Sequence, residues 1–405
     1  MAGNGAVPNA RWNELAREYA LRRDAAVLRG PIEWSLDVTN ECVACCLHCF
    51  NRSGVLERDE LTDDEMVGVA RQIAGMKPLG ICFCGGEPTM RLPVVLTMAR
   101  IFRDVGTTPN MVTNGQLMTP STAREIHAAG IQMVQVSLDG SSSKSHDRLR
   151  GKPGAFDNAV DAIRTLVDAG SLVGVSFSPT SFNIDEFWET HELCLSLGVC
   201  ELRVQPLMPL GEAQLRFEEL TPSPEQYATF IEAYKAKVLG PPTRMRLEWG
   251  DPVDHLIRFG QYYAMPPYTM HVTSDGFLAP SVYLPVFVGN VRRHAIPDYW
   301  KAGLSSAWQL RILRDLSSRV RSNRDFMFLR PHPYFDKWVD VDLIDRTPEE
   351  IERITDVVLD LNERIAAPGA QPPGPWTWQP GSAPLKKLLA ELYGASPSTA
   401  SSGPL

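Results

Sequence analysis

Cysteine vanishes from the second half of the chain. All eight cysteines of the 405 residues lie before residue 201, at Cys42, Cys45, Cys46, Cys49, Cys82, Cys84, Cys194 and Cys200. From there onward a thiolate-held metal or a disulfide framework is excluded. Long apolar runs are missing too. None approaches the roughly 18 residues that cross a bilayer, and the opening MAGNGAVPNARWNELAREYALRRD has no apolar signal core. Ala2 stands where a myristoylation signal requires glycine. Nor is there an excess of positive charge: 40 Lys and Arg face 48 Asp and Glu, for a net charge of −8, the wrong sign for a phosphate backbone. These absences predict a cytoplasmic protein with neither a membrane nor a nucleic-acid partner. In that compartment thiols stay reduced, and a cysteine cluster signals metal binding or catalysis.

What is present is an ordinary globular composition, 44% hydrophobic and 22% charged, in a chain long enough for a main domain and an appendage. A helical pattern over residues 10–28 stops at Gly30-Pro31. Short apolar strands then alternate with amphipathic helices. Strands are expected at 31–38, 79–84, 109–115, 131–140, 172–178 and 200–207, each followed by a helix. Thr62 and Glu65 have capping-box spacing at the first of these helices. Six such units predict a partial (βα)6 TIM-type barrel, an α/β fold whose chemistry sits at the strand C-terminal ends. The register changes near residue 241. Residues 270–280 and 283–291 read as a hairpin-rich module, and 347–366 as a helix capped by Thr347 and Glu350. A Pro/Gly linker with Trp376 and Trp378, a short helix LKKLLAELYG and a polar tail follow. The expected domains are 1–30, a helix; 31–240, the barrel; 241–345, a small α+β module; and 346–405, the C-terminal arm.

ECVACCLHCFNR, Glu41 to Arg52, follows the first strand and holds four cysteines in eight positions. One grid is C-x2-C followed at once by C-x2-C, suited to zinc. The other is C-x3-C-x2-C through Cys42, Cys46 and Cys49. Three thiolates hold a four-iron, four-sulfur cluster and leave one iron without a protein ligand. The second strand then ends in Gly85-Gly86-Glu87-Pro88, where glycines permit close backbone approach and Glu87 offers a carboxylate to an amino group.

With these two motifs in this order, the chain resembles the radical S-adenosylmethionine (SAM) superfamily. The resemblance implies that Cys42, Cys46 and Cys49 bind a 4Fe–4S cluster and that SAM chelates its free iron. It also implies that Gly85, Gly86 and Glu87 meet the SAM amino group. Further motifs stand in family order: Thr113-Asn114-Gly115, Ser137-Leu138-Asp139-Gly140, His48 before Cys49, Arg150-Gly151, and Gln205 to Gly211 with Leu207. They imply cofactor contacts at Thr113, Asn114, Ser137, Asp139, Arg150, His48, Gln205 and Leu207. The implied reaction is reductive cleavage of SAM to a 5′-deoxyadenosyl radical, which takes hydrogen from a C–H bond. The electron would come from a flavodoxin or ferredoxin.

Residues 270–300 resemble the SPASM module of the peptide-modifying branch through Asp275-Gly276, Pro280, Gly289-Asn290 and Trp300. However, Ser281 replaces the expected cysteine, and the later cysteines are absent. A SPASM-like module without auxiliary clusters favours a redox-neutral outcome: epimerisation, rearrangement, elimination or decarboxylation. Cys84, on the same strand side as Cys82, and Tyr268, in the group Tyr262, Tyr263, Tyr268 and His271, are hydrogen-donor candidates. Only about 30 residues precede the first strand, where the peptide-modifying relatives' recognition domain would stand. The expected substrate is therefore a small natural-product intermediate or short peptide. The alternatives are a ribosomal-peptide modifier and a zinc-stapled non-catalytic binding protein.

Overall fold

The computed structural model describes residues 28–54, 59–241, 243–261, 266–329 and 339–366. The expected N-terminal helix (save Leu28), Tyr262, Tyr263, the Trp376–Trp378 linker, the helix after it and the tail lie outside the described residues.

Seven strands run parallel in chain order: β1 (Glu33–Thr39), β2 (Gly80–Gly85), β3 (Thr108–Thr113), β4 (Met133–Ser137), β5 (Leu172–Phe177), β6 (Glu201–Val204) and β7 (Arg246–Trp249). Helices at Asp63–Gly75, Leu92–Asp104, Pro120–Ala129, Ala155–Asp168, Phe187–Ser196 and Pro224–Val238 follow the first six strands. This is the α/β partial TIM-type barrel that the alternating pattern predicts. Local chemistry sets the helix ends. The Thr62 hydroxyl accepts from the Glu65 amide at 3.3 Å while the Glu65 carboxylate accepts from the Thr62 amide at 2.7 Å. Ser223 and Gln226 repeat that reciprocal cap.

Strand alternation divides the sheet into two faces. Trp34, Leu36 and Val38 of β1 and Ile81 and Phe83 of β2 are buried and join the core formed with helix residues such as Met66, Ile73 and Phe102. The opposite face of the same strands carries Ser35, Asp37, Cys82 and Cys84.

The sheet extends past both ends of the six-unit series. Beyond β6 lies β7, in the segment RMRLEWG, where four residues between Pro/Gly-rich flanks give too short an alternation to stand out. Beyond β1 lies β8 (Thr269–Val272), parallel to β1. β9 (Phe277–Ala279) is antiparallel to β8, and β11 (Gly289–Asn290) is antiparallel to β9. β10 (Val286–Phe287) pairs separately with β12 (Val339–Asp340). The expected hairpin therefore continues the barrel sheet. Its turn uses Gly276 at φ 86°, and Asn290 Nδ2 donates to the Asp275 carbonyl at 3.1 Å. A second element absent from the expected series is the helix Ser143–Arg150. Its sequence SKSHDRLR is almost wholly polar and buries only Ser145, His146 and Leu149.

Candidate functional site

The loop after β1 has no regular structure, so its shape comes from its neighbours. Gly54 N–H closes it onto the Asn40 carbonyl at 2.6 Å, and Cys49 N–H bonds back to the Cys46 carbonyl at 3.2 Å. Cys45 and Leu47 donate their amides to the carbonyls of Arg150 and Leu149 at 3.2 and 2.9 Å. Three glycines let other segments approach. A Cβ on Gly86 would lie 2.0 Å from the Glu41 carbonyl oxygen. One on Gly151, at φ +62°, would lie 2.3 Å from that of Cys45, and one on Gly211, at φ +59°, 2.4 Å from that of Phe50. Nothing larger than glycine fits at these three positions.

This packing gathers three thiols and leaves the fourth out. Cys42, Cys46 and Cys49 are half-buried and close enough for their charges to repel one another, whereas Cys45 is exposed. Each gathered sulfur has a donor from the chain. Asn114 Nδ2 lies 3.5 Å from Cys42 Sγ, Arg150 Nη1 3.8 Å from Cys46 Sγ, and the Ser53 amide 3.4 Å from Cys49 Sγ. Burial, opposed by the Arg150 charge, pushes the Cys46 thiol up to about 11, and burial also raises Cys42. Thiolates in such a pocket are stabilised by bound metal. Three converging sulfurs, each with an N–H donor, fit an iron–sulfur cluster. Four-thiol zinc binding would need Cys45, which points to solvent.

The remaining motif residues sit around this loop. Glu87 is fully buried, and its carboxylate is taken up by the chain. It accepts from the Thr113 hydroxyl at 2.7 Å, the Asn114 amide at 2.7 Å and the Thr89 amide at 3.1 Å. Burial outweighs these bonds and raises its pKa. In this structure the carboxylate ties the ends of β2 and β3. Gly85, at φ +111°, turns the chain beside Asp37 and Thr39. Ser137 ends β4, paired with Ser176.

Asp139 is fully buried and accepts from the Ser178 amide and from Arg150 Nε, both at 2.7 Å. Burial opposes its charge, but Arg150 beside it holds the carboxyl below the ordinary range. In return, Asp139 and Cys46 raise the Arg150 pKa against burial. Burial lowers His48 to about 4, and its Nδ1 has no partner among the described residues. Gln205 donates Nε2 to the Gly250 carbonyl at 2.9 Å. Leu207 lines a cavity of about 310 Å3 at the same rim, with Pro206, Phe217, Tyr227, Trp249 and Asn323.

The two donor candidates part company. Tyr268 immediately precedes β8, and its carbonyl accepts from the Ile32 and Glu33 amides at 3.0 Å. Because β8 runs parallel to β1, Tyr268 is at the barrel floor. From Glu33 to Thr39 a strand covers roughly 20 Å, so Tyr268 is not brought to the cysteine loop. Cys84 stays near it, since the next residue is Gly85, and its thiol donates to Asp37 Oδ1 at 3.4 Å.

Residues the motifs did not announce complete the inner face. Asp37 Oδ2 lies 3.1 Å from His271 Nε2, and Ser35 Oγ 2.8 Å from His271 Nδ1. Across the barrel are Arg203 and Glu248, both near enough to shift the Glu33 carboxyl, which burial raises. The inward alternation of Glu33, Ser35 and Asp37 is the signal that would have found the β1 members.

Comparison with known proteins agrees with this geometry. The sequence model of the Radical SAM superfamily matches residues 36–194. An AdoMet-dependent heme synthase of Methanosarcina barkeri is 30% identical over 303 residues, spanning 70% of this chain and 84% of that protein. Mycofactocin maturase MftC of Mycolicibacterium smegmatis is 31% identical over 212 residues, 52% of this chain and 53% of that one. Streptococcus suis SuiB bound to S-adenosylmethionine shares the fold at a TM-score of 0.57 and 15% identity, covering 80% of this chain and 76% of that one. No helix among the described residues is long and apolar enough to cross a membrane. The chain belongs to the radical SAM superfamily and is an enzyme of that family, whose cofactors are a 4Fe–4S cluster and S-adenosylmethionine.

Proposed function

We propose that this enzyme abstracts a hydrogen atom from a C–H bond of a small, polar natural-product intermediate and completes a redox-neutral change. Epimerisation, rearrangement, elimination and decarboxylation all fit that description. Cys42, Cys46 and Cys49 would hold the cluster, which with SAM supplies the electron transfer and the 5′-deoxyadenosyl radical. The chain's own part is positioning. Asn114, Arg150 and the Ser53 amide orient the three thiolates. His48, Gly85, Gly86, Thr113, Ser137, Asp139, Gln205 and Leu207 shape the rim that receives SAM, with Glu87 bracing it from below. A flavodoxin or ferredoxin is the proposed reductant.

The observation that carries the substrate class is the polar inner wall. Glu33, Asp37, Arg203, Glu248 and His271 face one space, and Arg203 Nε is buried without a partner among the described residues. Such a wall favours a substrate bearing hydroxyl, amino or carboxylate groups over a hydrocarbon. The redox-neutral outcome rests on the sequence after Cys200, which has no thiolate to hold an electron-accepting auxiliary cluster.

A second reading, modification of a ribosomal peptide, is favoured by relatives named for peptide work. Among them is the PqqA peptide cyclase of Rhizobium meliloti, 27% identical over 214 residues. The test is anaerobic turnover of candidate substrates with dithionite, followed by mass spectrometry. We expect 5′-deoxyadenosine and a product isomeric with the substrate or lighter by one neutral fragment. A product lacking two hydrogens would overturn the redox-neutral outcome. Undiminished 5′-deoxyadenosine from Cys46→Ala would overturn the site assignment.

A further inference from the structure

We propose that Asp37, Cys84 and His271 form a second metal site, inside the barrel, that binds a borderline divalent cation, zinc above all. It shares no ligand with the neighbouring cysteine loop, whose Asn51 Nδ2 lies 3.5 Å from Asp37 Oδ2. The three ligand atoms all lie within 4.8 Å of one another. Asp37 turns one carboxylate oxygen to each partner, 3.4 Å from Cys84 Sγ and 3.1 Å from His271 Nε2. A tetrahedral zinc with bonds of about 2.3 Å to sulfur and about 2.0 Å to nitrogen and oxygen separates S from O by about 3.5 Å and N from O by about 3.3 Å. Because the two distances run to different carboxylate oxygens, an ion between the three side chains would be held by both Asp37 oxygens, or by one after a turn of the carboxylate.

The supports are those of a metal centre rather than a loose polar cluster. The three residues stand on adjacent parallel strands, β2, β1 and β8. Register places Asp37 beside Cys84 and Ser35 beside His271, so no ligand depends on a loop. His271 Nε2 faces the Asp37 carboxylate and carries the proton of that contact in the metal-free site, and Ser35 Oγ is placed to accept an Nδ1–H once a cation displaces that proton from Nε2. That is the usual fixing of a ligand histidine's tautomer by its other nitrogen. The Cys82 thiol beside it, burial and the Asp37 carboxylate all push the Cys84 thiol up. A divalent cation supplies the positive charge that this crowding of acidic groups lacks.

Three protein ligands leave a fourth position for water or a substrate oxygen, the pattern of catalytic rather than structural zinc. An ion there would bind and polarise a hydroxyl or carboxylate of the substrate, fixing its C–H bond below the SAM rim. It would also remove Cys84 from consideration as a hydrogen-atom donor, since a bound thiolate carries no hydrogen.

The test is zinc content and zinc X-ray absorption on the full-length, cluster-reconstituted protein after EDTA treatment and gel filtration. We expect about one retained zinc per chain, as a single such site requires, with one sulfur and otherwise nitrogen or oxygen neighbours. In Cys84→Ser and in His271→Gln, retained zinc should fall at least tenfold while cluster iron stays at the wild-type level, which reports that the barrel has folded. A sulfur-rich zinc shell would mean zinc in the cysteine loop and would overturn the proposal. So would absence of retained zinc, or zinc unchanged in both variants. Failure of any of these arms leaves SAM cleavage untouched, so the two readings fall separately.

Discussion

Asp139→Asn tests whether the rim is held by a buried charge pair. Asp139 has 1% of its side chain exposed and Arg150 12%. The substitution keeps the shape and can keep a bond from the Ser178 amide, but it strands the Arg150 guanidinium without its anion. Removing one partner of a buried pair costs about 3–5 kcal/mol, because the remaining charge is left uncompensated. Arg150→Met strands the carboxylate instead, with a cost in the same range. The double variant buries no charge and loses only hydrogen bonds, each about 1 kcal/mol. The two changes should therefore couple by roughly 3 kcal/mol, with the double variant far less damaged than the sum of the singles. The assay is urea unfolding of the cluster-free, reduced protein, so that bound metal does not enter the equilibrium. Additive losses within about 0.5 kcal/mol would refute the argument. So would Asp139→Asn costing under about 1 kcal/mol, which would mean that water reaches Arg150.

Two further outcomes follow from the same rim. Gly211→Ala places a Cβ 2.4 and 2.5 Å from the carbonyl oxygens of Phe50 and Cys49, at a φ of +59° and ψ of −128° that side chains avoid. Iron and sulfide per chain after anaerobic reconstitution should drop by about half or more, because the cysteine loop must move; full loading would contradict the close approach. His146 accepts the Asp139 amide on Nδ1 at 3.0 Å, so protonation there meets a donor already in place. Burial, reinforced by the Arg150 charge, lowers its pKa from 6.5 to about 4. With the folded value depressed, the unfolded chain takes up the proton first as pH falls. The stability this group contributes is whole above pH 6.5 and lost on descending to about 4, by up to about 3 kcal/mol. His146→Gln should flatten the fall in urea midpoint over that interval, and parallel pH curves for the two proteins would contradict the assignment.

How much of this was legible depended on whether the determining contacts were local. The six strand–helix units showed because each strand is a short apolar run and each helix carries its own periodicity and cap, as at Thr62–Glu65. The cysteine spacing showed because Cys42, Cys46 and Cys49 all fall within one short loop. β7 did not, since its four residues become a strand by pairing Glu201 with Arg246 and Val204 with Trp249 on β6. The Ser143–Arg150 helix hid because a nearly all-polar sequence has little apolar periodicity to read. Tyr268 was misplaced for a topological reason: nothing in QYYAMPPYTMH says that β8 enters the sheet parallel to β1 and so starts at the floor. The same pairing brings His271 to Asp37 across 234 residues, a juxtaposition no local pattern carries. The burial of Glu87 and its bonds to Thr113 and Asn114, which tie two strands, are likewise not carried by any local pattern.

The loop that carries the thiols is thus the least self-sufficient part of the barrel and the most tightly surrounded. Asn114 reaches Cys42 from the end of β3, Arg150 reaches Cys46 from the polar helix after β4, and the Glu212 amide reaches the Cys49 carbonyl at 2.8 Å from the segment after β6. Arg52, at a positive φ of 50°, locks that last contact with a 2.7 Å ion pair to Glu212. Residues 205–212 meanwhile form part of the wall of the 310 Å3 cavity through Pro206 and Leu207, and the Leu207 carbonyl accepts from Asn323 Nδ2 at 3.1 Å. One short segment therefore touches the cavity at one end and the cysteine loop at the other. Packed backbone transmits displacement rather than absorbing it, so a molecule that shifts Leu207 also shifts the Glu212 amide against which the Cys49 carbonyl is set.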